Sequence, residues 1–178
     1  MPESKRIVLS GGPGTGKTSM LAELEKHGFF CHQEISREII REELDKGTNV
    51  LPWADLPAFS ERVIQGRLQQ FLNAKPGLNF YDRSLVDSAA YMHKDKLPLK
   101  PEWQSYLEKH KYNSQVFITG PWREIFENDH ERRESWEQLL HVHEYLVSTY
   151  QDLGYEVILM PKVPLKERVD FLLDYLNV

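Results

Sequence analysis

The eight-residue string Gly11-Gly12-Pro13-Gly14-Thr15-Gly16-Lys17-Thr18 constrains this chain more than any other part of it. It satisfies G-x-x-x-x-G-K-[ST], follows a short apolar run at Ile7 to Leu9, and opens a stretch of helical period from Lys17 towards Gly28. Glycines reach backbone conformations closed to other residues, so consecutive amides can point inward as an anion nest. A helix starting near Lys17 adds the positive end of its dipole to the same anion. Lys17 supplies a mobile cation for the β and γ phosphates, and Thr18 supplies a hydroxyl ligand for Mg²⁺. A glycine-rich turn with a chance Lys-Thr would satisfy the string alone, but not the string in this context. The expected nucleotide contacts are Gly11, Gly12, Pro13, Gly14, Thr15, Gly16, Lys17, Thr18 and Ser19, with ATP and Mg²⁺ as the cofactors.

The rest of the chain fits one such domain. Further apolar runs too short for helices occur at Phe29 to Cys31, Leu78 to Tyr81, Val116 to Ile118 and Val157 to Met160, each bounded by turn residues or charges. Longer stretches with helical period lie between them. The clearest carries Trp136, Leu139, Leu140, His143, Leu146, Val147 and Tyr150 and stops before Gly154. Others carry Phe59, Val63, Ile64, Leu68, Phe71 and Leu72, or Val169, Leu172, Leu173 and Leu176. Strands alternating with helices predict an α/β fold, a five-stranded parallel sheet with helices on both faces. In such sheets ligands bind beyond the carboxyl ends of the strands, so the residues following each run are where chemistry belongs.

Composition narrows the partners. Twenty-seven acids against twenty-two bases give a formal charge of −5, which speaks against a nucleic-acid or anionic-membrane footprint. Cys31 is the only cysteine, so neither an internal disulfide nor a cysteine zinc cluster is available. The apolar run near the N-terminus is too short for a signal-peptide core or a membrane span. A soluble, cytoplasmic monomer or homodimer spanning 1–178 as one domain is expected.

Three segments hold the other candidate groups. Asp82-Arg83 ends the third apolar run: the carboxylate can hold Mg²⁺ or accept a proton, and the guanidinium can clamp phosphate oxygens. The same two residues would also serve as an ion pair capping the next helix, and Asp87 is placed to pair with Arg83 across a helical turn. Glu34, after the second run, can meet an acceptor hydroxyl or form the acidic start of a helix. The stretch from Pro121 to Arg133 mixes cations, acids and aromatics before a long helix. Around 121–134 this predicts a lid segment delivering Arg123, Arg132 or Arg133 to the transferred phosphoryl group, against the alternative of a solvated helix start. His141 and His143 are two apart and face different ways, which rules out a zinc helix. His143 falls on the apolar stripe, and Trp53 follows the Leu51-Pro52 turn near the presumed acceptor side.

Together these segments resemble a family of small P-loop proteins labelled "AAA domain", related to the ribosylnicotinamide kinase domain and to nucleoside and nucleotide kinases. The resemblance rests on GGPGTGKT, on QEISREIIRE, on FYDRSLVDSAAY, on DHERRES with its helix, and on MPKVPLKERVDFLL. It implies a three-layer, nucleoside-monophosphate-kinase-like fold and transfer of the γ-phosphoryl of ATP to a small nucleoside-like acceptor. By the same resemblance Glu34 meets that acceptor, Asp82 and Arg83 serve metal and phosphate, and Lys162, Val163 and Pro164 pack on the adenine. The competing function is a nucleotide-hydrolysing or nucleotide-sensing switch without an acceptor. No N-K-x-D string occurs, which weighs against a Ras-like GTPase.

Overall fold

A computed structural model describes residues 3–126 and 135–178. Five strands, β1 (Ser4–Gly11), β2 (Phe30–His32), β3 (Gly77–Asp82), β4 (Gln115–Thr119) and β5 (Glu156–Met160), form one sheet. Every pairing is parallel and the order is β2-β3-β1-β4-β5. The neighbours of β1 are therefore β3 on one side and β4 on the other, which opens a crevice at its carboxyl end, where the glycine string begins. Helices α1 (Lys17–Lys26), α2 (Ser36–Lys46), α3 (Leu56–Leu72), α4 (Leu85–Lys94), α5 (Pro101–Lys109), α6 (Trp136–Asp152) and α7 (Leu165–Leu176) complete the layers, with a 3-10 turn at Arg123–Ile125.

Alternation along the strands sorts the core into two parts, because successive side chains in a strand point to opposite faces. Ile7, Leu9, Phe80 and Phe117 meet Met20, Leu21 and Leu24 of α1 and Val169 and Leu172 of α7. Their neighbours Val8, Tyr81, Val116 and Ile118 face the other way, onto residues of α3, α4, α5 and α6. Both faces are buried, and this is why the strands read as continuous apolar runs.

Several expectations need correction. Helices α2, α4 and α5 were not visible as long periodic stretches. α2 buries only Ile39, Ile40 and Glu43 amid charged residues, and α5 buries only Trp103 and Leu107, which is too narrow a stripe for periodicity to reveal. The buried face of α6 is Leu139, Val142, Leu146, Thr149 and Tyr150, so Leu140 points to solvent and His143 lies at the margin of the stripe. Leu72 of α3 is likewise exposed. Asp87 does not pair with Arg83, because Arg83 precedes the helix. Instead Asp87 closes a capping box, its Oδ2 accepting from the Ser84 amide at 2.8 Å. Among the described residues, no helix is long and apolar enough to cross a membrane.

Candidate active site

The glycine string leaves β1 with Gly11 at φ 135°, Gly14 at 72° and Gly16 at 86°, all in the region where a side chain is strained. A Cβ on Gly11 would lie 2.2 Å from Thr119 Oγ1, so β4 is packed directly against the loop. The Thr15 hydroxyl bonds Gly12 O at 2.8 Å and shares a 2.6 Å hydrogen bond with Thr119 Oγ1, which fixes the loop's shape from below. Lys17 opens α1, is buried, and donates from Nζ to Gly11 O at 2.9 Å and Gly12 O at 2.8 Å. Burial, then the Arg83 charge, lowers its pKa to about 8 against the partial offset of Asp82, Glu34 and Asp87. The loop's ammonium is thus stored inside the cradle on its own carbonyls.

Opposite the loop, Thr18 Oγ1 donates to Asp82 Oδ2 at 3.3 Å. Asp82 is buried, and its Oδ1 has no hydrogen-bond partner among the described residues. Burial, with Glu34 and Asp87, pushes its carboxyl above the usual range despite Lys17 and Arg83. An orphaned carboxylate oxygen beside a hydroxyl is a fitting pair of ligands for Mg²⁺, which takes one or two protein oxygens and keeps waters and phosphates for the rest. Among the described residues no three His, Cys, Asp or Glu cluster as a metal centre.

Arg83 follows Asp82 at φ 71°, a strained conformation for a non-glycine residue, held by its amide donating to Leu9 O at 2.9 Å. The helix cap belongs to Ser84 and Asp87, so Asp82 and Arg83 are free of that duty. The Arg83 side chain turns towards Glu34, with Nε 2.7 Å from Oε2, and Nη1 donates to the Tyr91 hydroxyl at 3.2 Å. Glu34 also lies 3.1 Å from Arg67 Nη2 and accepts the Ser36 amide at 2.9 Å. Glu34 thus lies two residues before α2 and bonds its first amide, and it also lines a cavity. Burial alone would raise its pKa, but Arg67, Arg83 and Ser36 outweigh that and hold it at about 2.

One cavity of about 610 Å³ joins these groups. Its glycine-loop end carries Pro13 to Ser19 with Asp82, Arg83 and Arg168, and Ile40, Pro52, Trp53, Leu56, Phe59 and Val63 form an apolar wall at the other end. Trp53 thus lines the cavity. Arg123 is exposed, its guanidinium 5.0 Å from the Trp136 ring, and is not part of the cavity wall. Arg132 and Arg133 lie outside the described residues. Lys162, Val163 and Pro164 do not line the cavity either; from that side it is Arg168, one turn into α7, that reaches it. Arg168 Nη1 donates to Thr15 O at 3.3 Å, and the guanidinium stands 5.4 Å from the Trp122 ring.

Sequence reasoning missed Arg67 and Arg168. Arg67 is buried and gives Nη1 to Ser84 O at 2.9 Å and to Ser88 Oγ at 2.8 Å. Its signal was a charge at a buried phase of α3, between Ile64 and Leu68. Arg168 gave a similar signal beside Val169 at the start of α7.

The family model described as "AAA domain" matches residues 6–168. Among curated proteins none matches the chain. Similar solved structures include deoxyadenosine kinase from M. mycoides with dCMP and dCDP (14% identical, covering 97% of this chain and 98% of that one, TM-score 0.64). NadR protein in complex with NR is 19% identical with a TM-score of 0.75, covering 98% of this chain and 52% of that one, so this chain spans about half of NadR. Thymidylate kinase from Ehrlichia chaffeensis is 13% identical with a TM-score of 0.67, covering 98% and 100%. These likenesses show that the fold is that of P-loop nucleoside and nucleotide kinases. The family match spans nearly the whole chain, from β1 into α7, and the protein belongs to the AAA domain family of P-loop proteins.

Proposed function

We propose that this chain is a kinase that moves the γ-phosphoryl group of ATP to a small, nucleoside-like acceptor. The observation carrying the reading is one continuous cavity, which begins at the glycine loop, passes Asp82, Arg83 and Glu34, and ends against Trp53, Leu56 and Phe59. A hydrolysing switch needs only the first part. An apolar recess beyond the reacting centre is what a second substrate requires.

The roles follow from position. Lys17 exchanges its loop carbonyls for the β and γ phosphates and neutralises charge as it shifts during transfer. Thr18 and Asp82 would hold Mg²⁺, whose chemistry is to neutralise the phosphates and keep them in line. Arg83 faces the transferred group. Glu34, held ionised by Arg67 and Arg83, orients the acceptor oxygen. That suffices for a loose transition state, in which positioning counts for more than deprotonation. Arg168 steadies the Thr15–Gly16 peptide from outside the loop.

The test is a screen of metabolites for acceptor-dependent ADP formation with ATP and Mg²⁺, repeated with Asp82→Asn. The expected outcome is a small set of active acceptors and loss of activity in the variant, with a weakened Mg²⁺ dependence of nucleotide binding. ADP formation at one slow rate whatever is added would favour the switch.

A further inference from the structure

Arg168 carries a charge for which the described residues supply no counter-charge. It lies one turn into α7, is 7% exposed, and lines the cavity beside the glycine loop. Nη1 donates to Thr15 O at 3.3 Å, the guanidinium stands 5.4 Å from the Trp122 ring, and Nε has no hydrogen-bond partner among the described residues. Both contacts are to neutral groups. Arg67, which is buried as well, has Glu34 3.1 Å away. Burial with no opposite charge to offset it lowers the Arg168 pKa from the ordinary arginine value.

The surroundings add to this cost. Helix α1 has glycine at its N-cap, no side-chain cap and no acid in its first turn, so these positions leave the positive end of its dipole without an offset. Arg168 is packed against that end: a Cβ on Gly16 would lie 2.6 Å from its Nη1 and 3.2 Å from its Nη2. Buried cations are ordinarily paired, and one set against a helix N-terminus is disfavoured twice unless an anion joins the two. Bracing Thr15 O does not explain the charge, because a neutral donor would brace it as well.

Resting on the nucleotide reading above, we propose that Arg168 is a second cationic ligand for the donor's phosphates, delivered by α7 and complementing Lys17 inside the loop. The polyphosphate is its counter-ion: the guanidinium gives N–H groups to phosphate oxygens while Thr15 O and Trp122 hold its plane. In the empty site the cation is stored at an electrostatic cost, and binding relieves it. Removing the charge therefore acts with opposite signs on the two states, weakening phosphate binding without weakening the ligand-free fold.

The experiment titrates the full chain with ATP and with inorganic tripolyphosphate, both with Mg²⁺, in the wild type, Arg168→Gln and Arg168→Lys, and melts each protein without ligand. Arg168→Gln keeps a donor for Thr15 O but loses the charge. It should bind both ligands about tenfold more weakly, by the same factor, while its ligand-free melting temperature equals or exceeds that of the wild type. Arg168→Lys, which keeps the charge without the planar fork, should bind both with an affinity between the other two. Wild-type affinity in Arg168→Gln is the mark of a brace alone and overturns the proposal. A loss for ATP with tripolyphosphate unaffected also overturns it, because the guanidinium then serves the base or the ribose. So does a weakened affinity in Arg168→Gln that comes with a clearly lower melting temperature and is not recovered in Arg168→Lys. If the wild type binds neither ligand, the nucleotide reading fails and takes this inference with it; if it binds both and only the variants disagree, the nucleotide reading stands.

Discussion

The two ends of the cavity are made in different ways. The glycine-loop end is made mainly of one unbroken stretch, Pro13 to Ser19, joined by Asp82, Arg83 and Arg168, and on the proposed reading it recognises phosphate through backbone amides and a helix start. The other end, the proposed acceptor side, is assembled from α2, the turn before α3 and α3 itself, and its wall is made of side chains. Support differs as well. The loop is braced by Thr119 of β4 and Arg168 of α7, while the acceptor wall rests on its own satellite cluster of Ile39, Ile40, Leu51, Phe59 and Val63. A donor common to many enzymes can be bound by backbone geometry that tolerates few substitutions. An acceptor peculiar to one enzyme is bound by side chains that change without disturbing the sheet.

Lys17→Ala should separate the two ends most sharply. Turnover should fall by about 10² to 10³ or more while acceptor binding and the fold persist, and steady-state kinetics with thermal melting would show it. Unchanged turnover would contradict the donor role of the loop. The Lys17 pKa of about 8 adds a pH test. A lysine lowered from 10.5 binds fewer protons in the folded chain than in the unfolded one between about pH 8 and 10.5. Through this group the free protein therefore gains stability as pH rises across that window, and nucleotide affinity declines over the same range as the ammonium is lost. Lys17→Arg should abolish the decline.

Gly11→Ala should be next in effect, because the new Cβ would meet Thr119 Oγ1 and Thr119 O at 2.2 and 2.5 Å with φ at 135°. A loss of roughly 2 to 3 kcal/mol, with nucleotide binding impaired, is expected by thermal unfolding and titration. Tyr150→Phe tests what the ends share. Its hydroxyl is 2.6 Å from both Asp87 Oδ2 and Ser84 Oγ, and Asp87 Oδ1 accepts from Ser10, just before the loop, at 2.6 Å. Removing that buried donor should cost about 1 to 3 kcal/mol and lower donor and acceptor affinity together. An effect on one end alone would show that the network does not couple them. The smallest effect belongs to Lys46→Met, which removes an exposed ammonium lying 3.5 Å from Glu42 and 3.5 Å from Glu43 within α2. Less than about 1 kcal/mol is expected, and any kinetic change should fall on the acceptor KM.

How much of this was legible in the sequence follows the same division. The strands, their parallel arrangement and the phosphate loop were readable because local order dictates each of them. Asp82, Arg83 and Glu34 were readable by position, since they follow strands that end at one edge of the sheet. Arg67 and Arg168 were not, for they come from helices whose charged residues ordinarily face water, and only tertiary packing turns them inward. The pairing of Glu34 with two arginines joins three elements distant in sequence, and no spacing rule announces it. Asp87 was misplaced because the helix starts after Arg83, so a four-residue spacing that would pair two side chains within a helix does not apply.

The central claim is that donor and acceptor meet in one cavity, and the fate of the γ phosphorus tests it directly. With labelled ATP, Mg²⁺ and the acceptors found by screening, the label should appear in a small phosphorylated organic product, in amounts that follow acceptor concentration and vanish with Lys17→Ala. Label found only as inorganic phosphate, at a rate indifferent to every acceptor, would contradict the account.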